Sequence, residues 1–67
     1  MTTDDIDRHE HAGTITQLQA EVLRFRIQGL SHRKIALGLG KAPETIRHHE
    51  QAALRRIANT RRRRPAA

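Results

Sequence analysis

Sixty-seven residues with a formal net charge of +6, no Cys and one aromatic residue, Phe25, allow a single small domain. A core of this size supplies only ~3–5 kcal/mol and has no room for a deep catalytic pocket, while the lack of Cys excludes disulfides and thiolate metal sites. No apolar run approaches the roughly 18–20 residues that span a bilayer, and the opening MTTDDID is acidic where a secretory signal would be basic and then apolar. A cytoplasmic protein with no membrane association is expected.

The net charge conceals a split. Residues 1–13 hold Asp4, Asp5, Asp7 and Glu10 against Arg8, which is −3, whereas the remainder holds twelve Lys or Arg against Glu21, Glu44 and Glu50, which is +9. A folded part that basic attracts a polyanion, and a membrane surface is the weaker candidate. With Phe25 alone no stacking platform for single strands can be built, so double-stranded DNA is favoured over single-stranded nucleic acid or RNA loops.

In chain order, residues 1–13 are polar, with no apolar periodicity beyond Ile6, and read as a disordered acidic tail. His9, Glu10 and His11 lie close together, but no second group of ligands completes a metal site, and no cofactor is implied. A mobile acidic segment beside a basic face would compete weakly with DNA for that face. The first helix is expected from a cap at Thr14 or Thr16 to about Gln28. Ile15, Leu18, Val22 and Phe25 form its stripe, and Leu23, Ile27 and Leu30 widen it. Gln17, Gln19, Arg24, Arg26 and Gln28 fall on the other side. Arg24 and Arg26 point about 200° apart and read as solvated.

Gly29 suits a helix end and Ser31 an N-cap, so a second helix is expected from about His32 to Leu39, with Ile35, Ala36 and Leu39 inward. His32, Arg33 and Lys34 crowd its first turn, where positive charge opposes the helix macrodipole by a few tenths of a kcal/mol each. A nearby phosphate would remove that conflict. Arg33 and Lys34, with Ser31 before them, are therefore candidate phosphate contacts. Gly40 can take positive φ and Pro43 suits a first helical turn, so only Lys41 and Ala42 remain to form a tight turn. Lys41 joins the phosphate candidates. Ala42, where a capping oxygen would be expected, costs roughly 1 kcal/mol, and Glu44 partly offsets this through the dipole.

The last helix, about Pro43 to Asn59, puts Ile46, His49 or Glu50, Ala53 and Ile57 on one face with Leu54 beside them, and leaves Thr45, Arg47, His48, Gln51 and Arg55 outward. Two helices joined so tightly cross steeply and make a helix-turn-helix whose longer member meets a groove. On that helix Arg47 can pair with a guanine edge or a phosphate and Gln51 with adenine, while His48 can donate or accept. Thr45 can meet a thymine methyl or a phosphate, and Glu44 can accept from cytosine. Arg55 belongs with the phosphate set. His49 reads as a packed, hydrogen-bonded histidine. No Ser, Cys or paired carboxylate is placed to work with either His, so an enzyme is not expected.

Residues 60–67 read as a basic tail in which Arg61, Arg62, Arg63 and Arg64 neutralise phosphates or enter a narrow minor groove; a localisation signal is the competing reading. If the arm and helix neutralise about five phosphates, log K should fall with log salt at a slope near ~−4.5. The expected fold is thus an all-α, small helix-turn-helix bundle of three to four helices over residues 14–59, between a disordered acidic N-terminal tail and a basic C-terminal one.

The stretch from Ile15 to Ile57 resembles two related groups of bacterial transcription factors. Ile15, Thr16, Glu21, Val22, Leu23, Gly29, Leu30, Ser31, Ile35, Ala36, Leu39, Thr45, Ile46 and His49 match, or replace like with like, the pattern of LuxR-type helix-turn-helix domains. From Ile46-Arg47 through Glu50 to Ala53-Leu54-Arg55-Arg56-Ile57 the chain is similar to the fourth region of sigma factors, which reads the upstream promoter element and touches the polymerase flap. Lys34 stands where both the family Glu and its capping box would be. Lys41 and Ala42 replace an apolar residue and Ser, and Pro43 and His48 replace the sigma group's usual Arg and Gln. LuxR-type domains continue into a dimerising fourth helix where this chain has Arg61 to Arg64.

The resemblance implies a sequence-specific, free-standing transcriptional regulator that reads duplex DNA in the major groove and acts on the nucleoid. Two alternatives stay open: a sigma-like module that binds RNA polymerase or a sigma factor, and the DNA-recognition subunit of a phage packaging or recombination complex. Monomer and homodimer also stay open, because pseudo-twofold operators need a dimer and no interface for one is evident in the sequence.

Overall fold

Three of the helices start where a side-chain oxygen takes up a backbone N–H that the helix cannot satisfy itself. Thr2 accepts from Asp5 N–H at 3.2 Å, Thr16 from Gln19 N–H at 3.1 Å, and Ser31 from Lys34 N–H at 3.2 Å. In a computed structural model that describes residues 1–62, these caps open α1 (Thr3–His11), α2 (Gln17–Ile27) and α3 (His32–Leu39), and α4 (Pro43–Arg62) follows. Among the described residues the chain is all-helical, a small bundle of four helices.

The N-terminal segment is the main correction. Residues 3–11 are helix α1, not a disordered tail, and Ile6 is 0% exposed. The reason is partly local. Thr2 and Asp5 form a reciprocal capping box, the Asp5 carboxylate accepting from Thr2 N–H at 3.2 Å. Asp4 and Asp5 lie in the first turn and Arg8, His9 and His11 in the last, as the macrodipole favours. The decisive part is tertiary. Ile6 joins Ile15, Ala20, Leu23, Ala53 and Ile57 in one buried cluster, so a single apolar side chain is enough to dock α1.

α2 is the centre of the bundle. Ala20 and Leu23 face that first cluster, while Val22 belongs to a second with Ile35, Ala36 and Ile46, closed over by the partly buried Phe25, Leu30 and Leu39. Burial on two sides explains why its apolar residues do not form one stripe. It also explains Gln19, expected outward but only 7% exposed: its carboxamide oxygen accepts from Thr16 N–H at 3.0 Å, which satisfies it inside the bundle. Ile27, expected to widen the stripe, is 45% exposed at the helix end.

α4 packs on α2 and α3 through Ile46, Ala53 and Ile57. The expected stop at Asn59 does not occur. Thr60 remains helical, its hydroxyl donating to the Arg56 carbonyl at 3.0 Å, and the backbone of Arg61 and Arg62 continues the helix. Arg is a good helix former and its charge suits a C-terminus, so the start of the basic run extends the helix. Residues 60–62 are therefore not tail, and Arg63 and Arg64 lie outside the described residues.

Candidate nucleic-acid interface

The candidate face is built on the junction of α3 and α4. Gly40 ends α3 in the left-handed region at φ 67°, where a side chain would be strained, and Lys41 N–H donates back to the Ala36 carbonyl at 2.9 Å. Ile46 N–H then donates to the Ala42 carbonyl at 3.2 Å, so α4 is already under way after a connection of only three residues. Val22, Ile35, Ala36 and Ile46 lock the two helices together from beneath.

That packing leaves the other side of both helices bare. Glu44, Thr45, Arg47, His48, Gln51 and Arg55 are all exposed on α4, and Ser31, Arg33, Lys34 and Lys41 are exposed on α3 and the turn. Two shallow depressions flank Pro43. One, about 340 Å³, is lined by Arg33, Lys34 and Lys41 with Ala36 and Leu37; the other, about 240 Å³, by His32, Glu44 and Arg47. The sequence-predicted cations of α3 and the turn are thus brought beside the first turn of α4.

Some candidates are partly engaged. The Ser31 oxygen already accepts one bond as a cap, and its hydroxyl hydrogen is left to donate to a phosphate. Arg47 donates to Glu44 at 2.6 Å, an exposed pair three residues apart that is worth little and parts readily. Arg61 and Arg62 have their backbone at the far end of α4, roughly 27 Å of helix rise from Pro43, so they do not join the cluster at its start.

What sets the charge of this face lies elsewhere, in pairs that the sequence did not announce. Arg24, expected to be solvated, reaches α1: it donates to Asp7 and, at 2.7 Å, to Glu10, and these bonds hold the guanidinium above its ordinary pKa. Arg26 points the opposite way and donates to Glu50 on α4 at 2.9 Å and to the Leu30 carbonyl at 2.9 Å. The other Glu50 oxygen accepts from His32 Nε2 at 2.6 Å, so one carboxylate ties α2, α3 and α4 together. Glu50, and not the half-buried His49, makes the inward polar contacts of α4. These partners are 24 and 18 residues apart, beyond any helical spacing that could have revealed them.

No family model, curated protein or solved structure matches this chain. What the face can do therefore follows from its own groups. Asp7, Glu10 and Glu50 neutralise Arg24 and Arg26, whereas Arg33, Lys34, Lys41, Arg55 and Arg56 have no acidic partner among the described residues. Also among the described residues, no group of three or more His, Asp or Glu is placed to hold a metal ion, and no helix is long and apolar enough to cross a membrane.

Glu50 also gives a pH prediction. Burial alone would raise its carboxyl, but hydrogen bonds from His32 and Arg26 and their charges outweigh this and lower its pKa. A lowered carboxylate contributes stability that is fully present above its unfolded value, about 4.3, and lost as pH falls through the folded one. Thermal midpoints taken from about pH 6 to about pH 3 should fall more steeply for the natural chain than for Glu50→Gln, and the two curves should converge at the acid end.

Proposed function

We propose that this protein is a small transcriptional regulator that reads duplex DNA through a helix-turn-helix formed by α3 and α4. The first turns of α4 enter the major groove, and Arg33, Lys34 and Lys41 hold the adjacent phosphates. What carries the reading is the separation of charge. Asp7 and Glu10 of α1 and the Glu50 carboxylate are engaged with Arg24 and Arg26, and three of the unpartnered cations, Arg33, Lys34 and Lys41, gather beside the exposed start of α4. An exposed helix face bearing Arg47, His48 and Gln51 next to such a cluster has the groups needed for base edges and backbone at once. The sequence resemblance to LuxR-type domains and the fourth region of sigma factors points the same way. In this reading the protein works on the nucleoid and needs no cofactor.

A second reading draws on Leu37, 85% exposed on α3 among Arg33, Lys34 and Lys41. A bare Leu within a basic patch suits an acidic protein surface, as for a sigma-like module that touches RNA polymerase or a sigma factor.

Selection from a random duplex pool at about 150 mM salt separates the two, since at that ionic strength weak surface attraction is largely screened. Recovery of an enriched motif is expected, and Arg47→Ala should relax preference at one position of it, by about 1–3 kcal/mol against the wrong base. Salt-sensitive binding without a motif would remove the sequence-reading role, and no binding to any duplex would leave the protein-docking reading in its place.

A further inference from the structure

His32 has a ring nitrogen that the fold does not use. Its Nε2 lies 2.6 Å from a Glu50 oxygen, and Glu50 is a carboxylate there, its pKa lowered despite burial by hydrogen bonds from His32 and Arg26. A carboxylate only accepts, so Nε2 carries the proton of that bond. Nδ1 has no hydrogen-bond partner among the described residues, and no buried side-chain N or O among them lacks one, so Nδ1 is open to solvent. The ring is partly buried and held in place, since Arg26 fixes the Glu50 carboxylate in turn at 2.9 Å.

This nitrogen stands where the two helices of the candidate face converge. With Pro43, Glu44 and Arg47, His32 lines the depression of about 240 Å³ at the start of α4, and Ser31 and Arg33 are its chain neighbours. We propose that His32 is a proton-linked contact to duplex DNA, in which a backbone phosphate at this depression accepts from Nδ1–H and the imidazole takes up one proton to supply that bond. The contact rests on the DNA-binding reading.

The ring's own chemistry sets the proton count. A neutral imidazole has one N–H. Glu50 claims it at Nε2, which leaves a lone pair at Nδ1 that a phosphate oxygen can only repel. Protonation adds the second N–H and makes the new bond charge-assisted, while the bond to Glu50 is kept. Imidazole is the side chain that changes charge near neutral pH, so this step needs no extreme condition. The charged groups around the ring are Glu50, Glu44 and Arg47 from α4, Arg26 from α2 behind Glu50, and Arg33 beside it on α3. An arriving phosphate adds negative charge to this set, which favours the imidazolium in the complex.

Affinity of the full chain for a mixed-sequence duplex, read by fluorescence anisotropy at constant ionic strength, should fall about tenfold from about pH 6 to about pH 8. The change in log K should not exceed about one unit per pH unit, as uptake of a single proton requires. His32→Gln keeps an N–H for Glu50 and should flatten this profile, whereas His48→Gln should leave its slope in place. Glu50→Gln should flatten it too, because a carboxamide can donate to Nε2 and so let the neutral ring hold its proton at Nδ1. Loss of fold stability alone would not produce that change of slope, and circular dichroism checks that each variant stays helical. In the complex at about pH 7 the nitrogen chemical shift of His32 Nδ1 should be that of a protonated nitrogen. A flat natural profile, a slope that His32→Gln leaves unchanged, or an Nδ1 that stays unprotonated in the complex would overturn the proposal and leave the DNA-binding reading standing. Absence of binding at every pH would overturn both.

Discussion

Ile6→Ala should unfold a large part of the population. Truncating a fully buried Ile costs about 2–5 kcal/mol through lost transfer energy and the cavity left behind, and a domain of this size holds only roughly 3–5 kcal/mol in total. Ile6 is 0% exposed and is the one buried residue of α1, so nothing else in the helix can take over its contacts with Ile15, Leu23 and Ile57. The Arg24 pairs with Asp7 and Glu10 are too exposed to hold α1 in place on their own. Urea unfolding followed by circular dichroism would measure the loss, with Ile27→Ala as the comparison: at 45% exposure that change should cost well under half as much. Equal midpoints for Ile6→Ala and the natural chain would mean that α1 is not part of the cooperative fold.

The same residue marks the limit of what the sequence disclosed. The caps at Thr16 and Ser31, the turn at Gly40 and the start at Pro43 are local features, and the α3–α4 junction forms where they put it. Ile35, Ala36, Ile46, Ala53 and Ile57 lie inward as their spacing requires. α1 was hidden because one apolar residue in a polar stretch has no period. The Thr2–Asp5 capping box and the acids-first, bases-last order of its charges were its local signs, and docking on α2 supplies the rest. Gln19 misled for a related reason: the pattern Thr16-x-x-Gln19 is itself a capping box, whose reciprocal bond lets an amide be buried.

The candidate face divides in the same manner. Its exposed members could be assigned by position on a helix, because exposure follows from which residues are buried. Which cations carry free charge could not. That depends on Arg24 meeting α1 and on Arg26 and His32 meeting Glu50, and all these partners come together only after the chain has folded. The end of α4 was misplaced because Asn59 is a common C-cap, whereas the Arg run beyond it prefers helix.

Those unpartnered cations make the last prediction, and it is the one that bears most directly on function. If Arg33, Lys34 and Lys41 each neutralise a phosphate, replacing all three by Gln should make the slope of log K against log salt shallower by about 2.7, at ~0.9 per phosphate on duplex DNA. Raising salt fourfold would then cost the triple variant about 40-fold less affinity than it costs the natural chain. The loss should be similar on every sequence, since backbone contacts carry no base information. Arg24→Gln is the informative control. It removes one positive charge as well, but that charge is already matched by Asp7 and Glu10, so the slope should stay where it was. Filter binding or fluorescence anisotropy over about 50–200 mM salt reads both. A triple variant with the natural slope would take α3 off the phosphate backbone and turn its basic, Leu37-bearing face over to a protein partner. If Arg24→Gln flattened the slope as much as one of the three, total charge and not its placement beside α4 would govern binding.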